Sequence, residues 1–88
     1  MKLNVGARAV VAGGGLIHHG RVAGFQVDEL GCEWVCFRPM FASPQWRPVE
    51  AVGLVCGTCQ DCRSLNDGPS CVQWLRVGDV RNVLMLGV

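Results

Sequence analysis

Glycine interrupts this chain so often that no long helix fits between the breaks. Twelve glycines and four prolines are spread through 88 residues, and the apolar runs between them are short and rich in valine. That pattern favours short strands joined by turns. The first run, Val5 to Val11, ends at Gly13-Gly14-Gly15. The second, Leu16 to Val27, carries Gly20 and Gly24 as points where a strand bends or bulges. Asp28 to Gly31 reads as a turn. Glu33 to Arg38 is a third strand, whose alternation sets Trp34 and Cys36 on one face and Val35 and Phe37 on the other. Beyond a loop from Pro39 to Pro44, the segment Trp46 to Val55 holds a short strand, a helical turn at Pro48 to Val52 and the start of another strand. Pro48 suits the first position of that turn, where a missing N–H costs nothing.

The C-terminal part admits two readings. Val72 to Val77 and Val80 to Leu86 flank Gly78-Asp79, the pattern of a type II′ hairpin connection. Alternatively, Asp79 caps a short helix that buries Val80, Val83 and Leu84. The hairpin is preferred because the run is short and its apolar character continues to Val88. The expected fold is all-β and forms a single domain over residues 1–88. A small SH3-like barrel spans residues 5–55, a Cys-rich loop residues 56–71 and a C-terminal β-hairpin residues 72–88. Closing the barrel would remove strand edges through which an apolar chain aggregates.

Half of the residues are apolar, 17% are charged and the formal net charge is +1. Seven arginines and Lys2 are balanced by seven acids, which disfavours a nucleic-acid partner. Asn4 and Arg8 interrupt the apolar run that a secretion signal would need after Lys2. No run approaches the roughly 20 apolar residues that span a bilayer. The expectation is a cytoplasmic protein without a membrane partner, in a compartment that keeps thiols reduced.

Four of the six cysteines, Cys56, Cys59, Cys62 and Cys71, lie in one segment. A Cys-x-x-Cys turn presents two sulfurs from one tight loop, and tetrahedral zinc takes four thiolates. Cys56 and Cys59 form the best pair, with Cys62 and Cys71 completing the shell. Metal binding would add folding free energy to a domain near the lower limit of core size. The same spacing could hold an iron–sulfur cluster, although Val72 stands where bacterial ferredoxins carry proline. Disulfides such as Cys59–Cys71 or Cys62–Cys71 are an alternative, and buried free thiols another. Cys32 and Cys36 read as buried thiols of that last kind.

No catalytic set stands out. His18 and His19 lie in an extended segment, so they point to opposite faces, one exposed and one half-buried. Asp28, Glu29 and Glu33 read as turn and solvent-face residues. Most of the three tryptophans and three phenylalanines are expected in the core. Phe41 and Trp46 flank a loop at the barrel's edge, and with Arg47 they form a candidate contact surface, since tryptophan and arginine dominate interface hot spots.

Gly6-x-Arg8, Gly20-x-Val22-x-Gly24-Phe25 and Gln45-x-x-Pro48-Val49-x-Ala51-Val52 together give residues 5–52 a pattern that resembles the plasmid-borne type II dihydrofolate reductases. The resemblance implies an SH3-like barrel in which Gln45, Trp46 and Arg47 line a pore shared by four subunits. Trp46 and Arg47 stand where that family has a small aliphatic residue and a tyrosine, and the family's lysine near the first strand has no counterpart. The resemblance also implies an origin on a mobile, integron-type gene cassette. The leading expectation is a non-catalytic binding module that forms a homo-oligomer. It would bind through Phe41, Gln45, Trp46 and Arg47, with a cysteine segment tied by zinc or disulfides. Two alternatives stand beside it: an NADPH-dependent, pore-type reductase and a metal-bearing nucleic-acid module.

Overall fold

Valines at alternate positions of neighbouring strands build one face of an antiparallel sheet. The structure, a computed structural model, describes residues 2–56 and 71–86. Among them the strands are β1 (Arg8–Gly13), β2 (Leu16–Val27), β3 (Glu33–Pro39), β4 (Gln45–Pro48), β5 (Val52–Val55) and β6 (Val72–Trp74). A 3-10 turn, Val49–Ala51, joins β4 to β5, and helix α1 covers Asp79–Leu86. The strand order is β4-β3-β2-β1-β5-β6. Between β2 and β3 the register shifts between Val22 and Gly24, leaving Ala23 as the extra residue of a bulge at one of the two expected glycines.

The inner face carries Ala9 and Val11 of β1, Val22 of β2, Val35 and Phe37 of β3, and Val52 and Leu54 of β5, in one cluster with Val49, Leu3, Leu75 and Val80. The expected alternation in β3 is present: Val35 and Phe37 are buried, Trp34 and Cys36 half-buried. β5 is buried on both faces. Its outward side is covered by a smaller cluster in which Cys56, Cys71 and Val72 pack against Val10 and Val55. A Cβ on Gly53 would come within 2.6 Å of Val72 and 3.0 Å of the Trp74 ring, so glycine is what lets these β6 side chains close over β5 from the neighbouring strand.

Three expectations are corrected. The aromatic side chains do not fill the core: Phe37 is fully buried, Phe25 and Trp34 are half-buried, and Phe41, Trp46 and Trp74 are exposed. Branched side chains from four strands already occupy the small interior. The second arm of the C-terminal hairpin is instead α1. Trp74 ends β6, and Gly78, at φ 106°, turns the chain into the helix, where its carbonyl accepts the first helical bond from Asn82 N–H at 2.8 Å. The hydrogen-bonded sheet is also not closed. Among the described residues β4 and β6 stand at opposite ends of the ladder, and α1 packs against β2 and β3, placing Val80 in the inner core.

Glu33 fixes that helix and is the fourth departure from expectation. It is not on the solvent face; it is 5% exposed, on the inner face of β3. Its carboxylate accepts hydrogen bonds from the backbone N–H of Gly78 and, at 2.9 Å, from that of Arg81. These are donors that a helix start leaves without partners. Arg81 returns a bond from its guanidinium to the Gly31 carbonyl at 3.0 Å. Asp79 accepts from Arg76 N–H at 2.8 Å, closing the turn ahead of the helix. Gly31 itself sits in a turn organised by Asp28, which accepts from Leu30 N–H (2.9 Å), Cys32 N–H (2.8 Å) and the Trp34 indole (2.9 Å). The Trp34 indole, then the Cys32 N–H, hold the Asp28 carboxyl below its ordinary range.

Burial pushes the Glu33 carboxyl up, but the N–H groups of Arg81, Gly78 and Val80 and the Arg81 charge together bring it below its ordinary 4.5. A carboxylate whose folded pKa is depressed stabilises the fold above the unfolded value and loses that contribution as pH falls through the folded one. Glu33→Gln should therefore destabilise the protein at pH 7 by about 1–3 kcal/mol, the worth of a charge-assisted cap. In urea melts the gap between variant and parent should close as pH falls below 4.5. A gap that stays constant into acid would show that the charge of Glu33 does not hold α1.

Candidate functional site

Sequence order and strand register divide the expected contact residues between two faces of the sheet. β4 is an edge strand, and all four of its residues are exposed. Trp46 lies opposite Cys36, whereas Gln45 and Arg47 lie opposite the core residues Phe37 and Val35. Successive side chains on a strand alternate in direction, so Trp46 faces away from Gln45 and Arg47. The Arg47 guanidinium donates to the Gln45 side-chain oxygen at 2.5 Å, which fixes these two on the inner side. There they border a hollow of about 220 Å³ with His18, Phe37 and Ala42.

Phe41 sits at the tip of the β3–β4 connection and is 95% exposed. Around it lie Ile17, His18, His19, Pro39 and Met40, which line a second hollow of about 340 Å³. Leu16, Ile17 and Met40 are themselves exposed, so the tip of the β1–β2 hairpin and the β3–β4 loop present apolar surface. The two histidines follow expectation, His18 exposed and His19 half-buried. Cys32 does not: it is an exposed free thiol in the β2–β3 turn, while Cys36 is half-buried beneath the β4 edge.

Cys56 and Cys71 stand at the same end of the β5–β6 ladder, one residue beyond the Val55–Val72 pair. Cys59 and Cys62 lie outside the described residues. Among the described residues no three His, Cys, Asp or Glu side chains converge as a metal site. No helix there is long and apolar enough to cross a membrane.

One feature escapes a reading of the sequence. Arg8 of β1 pairs with Arg21 of β2, and Arg21 pairs with Arg38 of β3, so three arginines form a row across three strands. They line a cavity of about 560 Å³, with His19, Met40, Ala42 and Val55 along its wall. Arg21 donates to the Gly6 carbonyl at 2.8 Å. No described carboxylate lines the cavity. The signal in the sequence was faint, since the three positions meet only through register. No family model, curated protein or solved structure matches the chain.

Like charges directly opposed on neighbouring strands repel, by about 0.2–1 kcal/mol per pair. Arg38→Gln should therefore leave stability unchanged or raise it by a few tenths of a kcal/mol at low ionic strength. The difference between variant and parent melting temperatures should vanish in high salt, where exposed charges are screened. A clear loss of stability in Arg38→Gln would mean that the guanidinium has a structural partner.

Proposed function

We propose that this chain is a non-catalytic binding module that associates with copies of itself through the surface around Phe41 and Trp46. The observation that carries this reading is the exposure of Phe41, at 95%, beside exposed Ile17 and Met40. A bare phenylalanine ringed by apolar neighbours is the composition of an interface core. β4 is the terminal strand of the sheet among the described residues and carries the exposed Trp46, and an open edge strand readily accepts another strand. Gln45 and Arg47 would form the polar rim of this contact.

In this reading the sheet is a strongly coiled, SH3-like half-barrel whose open side α1 covers. Its support is the strand order, the 3-10 turn before β5 and the single inner cluster fed by β1, β2, β3 and β5. The cysteine segment is structural in this reading, Cys56, Cys59, Cys62 and Cys71 being tied by a zinc ion or by disulfides; Cys59 and Cys62 lie outside the described residues. This is supported by the register that sets Cys56 and Cys71 at one end of the ladder, against a satellite cluster. Nothing favours the reductase alternative, since Gln45, Trp46 and Arg47 do not share one face.

Light scattering tests the contact. Phe41→Ser and Trp46→Ala should each lower the assembly mass while leaving the far-UV circular dichroism spectrum unchanged. An unaltered mass in both variants would end the proposal. Native mass spectrometry before and after a chelator tests the zinc: the expected result is one metal lost per chain, with lower thermal stability. Recovery of disulfides in place of metal would replace the zinc reading.

A further inference from the structure

We propose that the row Arg8–Arg21–Arg38 forms a binding site for a small organic phosphate, with the phosphate on the guanidiniums and the organic part along Met40 and Ala42. The row is unusual because register, not chance proximity, assembles it: Arg8 opposes Arg21 and Arg21 opposes Arg38. Directly opposed like charges weaken a sheet, so three in succession are a cost unless an anion sits among them. The described carboxylates do not supply that anion. Of the five described carboxylates, Asp28 is committed to its own turn and the Trp34 indole, Glu33 to the start of α1, and Asp79 to Arg76 N–H. Glu29 and Glu50 do not line the cavity either.

The chemistry of the donors selects the ligand class. Guanidinium is a planar fork that binds phosphate oxygens in pairs and stays charged at any physiological pH. The half-buried His19 adds a ring nitrogen at the same cavity. At about 560 Å³ the cavity matches those that enclose small molecules. Its wall is not uniformly polar: Val55 stands at one end, and Pro39, Met40 and Ala42 at the other, where an apolar group could rest. Net charge argues against a polynucleotide. At +1 the chain as a whole has little net attraction for a polyanion, and the arginine row is a local positive charge suited to one phosphate group or two.

Calorimetric titration of the full chain with phenyl phosphate and with inorganic phosphate tests the site. The expected result is saturable binding of one ligand per chain, with phenyl phosphate several-fold tighter than inorganic phosphate. Arg38→Gln should weaken phenyl phosphate by about tenfold or more, the loss of one charge-assisted bond. Arg8→Gln should do the same, so a folding defect in one variant leaves the other as the test. Arg76→Gln, which removes the same charge outside the cavity, should bind as the parent does. Absence of saturation in the millimolar range, or equal weakening in Arg76→Gln, would overturn the proposal. So would equal affinity for the two phosphates. A mixed-sequence single-stranded oligonucleotide that binds more tightly as it lengthens would also overturn it, in favour of a nucleic-acid contact.

Discussion

The carboxylate of Glu33 is the interaction on which this arrangement turns, because it decides what covers the open side of the sheet. A sheet whose inner face is lined with valines must bury that face, either by curling until its edges meet or by accepting a separate element. Among the described residues β6 extends the ladder past β5 and the β4 edge has no further strand beside it, so α1 takes the second route. An eight-residue helix is far too short to persist alone. It exists because Val80 enters the core and because a side chain from β3 satisfies its first donors. The cap is tertiary: it couples helix formation to the folding of the sheet, so the two should form together.

Burial of β5 on both faces has a second consequence. An interior strand of an antiparallel sheet usually has one wet face, yet Gly53 and Val55 are covered as fully as Val52 and Leu54. The outer cover comes from Val72, Cys56 and Cys71, with Trp74 lying across Gly53. The ends of the cysteine segment are therefore packed into the fold. Any bond made within the segment acts beside β5, a strand already paired on both sides. A cross-link there constrains the unfolded chain more than it changes the folded contacts, which is the behaviour of a staple.

The strands were legible because their signals are local. Alternation in Glu33 to Arg38 and the glycine beside the bulge depend on a few neighbouring residues and correspond to the structure. The helical turn expected over Pro48 to Val52 is the shorter Val49–Ala51, with Pro48 at its cap and not its first position. What was not legible depends on pairs distant in sequence. Gly78-Asp79 serves equally as a hairpin turn and as a helix start, and the choice rests on Glu33, forty-five positions earlier. Glutamate beside a turn reads as solvent-facing until its partners are known. Trp34, Trp46 and Trp74 mislead for the opposite reason: their size argues for burial, but alternation puts Trp34 and Trp46 on the outer face, and Trp74 covers a glycine from outside. The proposed contact loop was visible as a composition, Phe41 and Trp46 around Pro44. Its division between two faces follows only from register.

The same register explains why the arginine row has meaning that the count of arginines lacks. Seven arginines against seven acids give a nearly neutral chain, from which nothing electrostatic follows. Folding sorts those charges unevenly. Asp28, Glu33 and Asp79 are drawn to backbone N–H groups at turns and at a helix start, where hydrogen bonds fix them. Those three acids are thereby consumed by structure, and among the described residues no carboxylate joins Arg8, Arg21 and Arg38 along their cavity. A local excess of positive charge can thus arise in a neutral protein without any cationic run in its sequence. Stability alone gives no reason to keep three guanidiniums side by side, since any neutral residue there would relieve the repulsion. A row of like charges that is expected to weaken the sheet and that lines a cavity is better explained by what it binds than by what it supports.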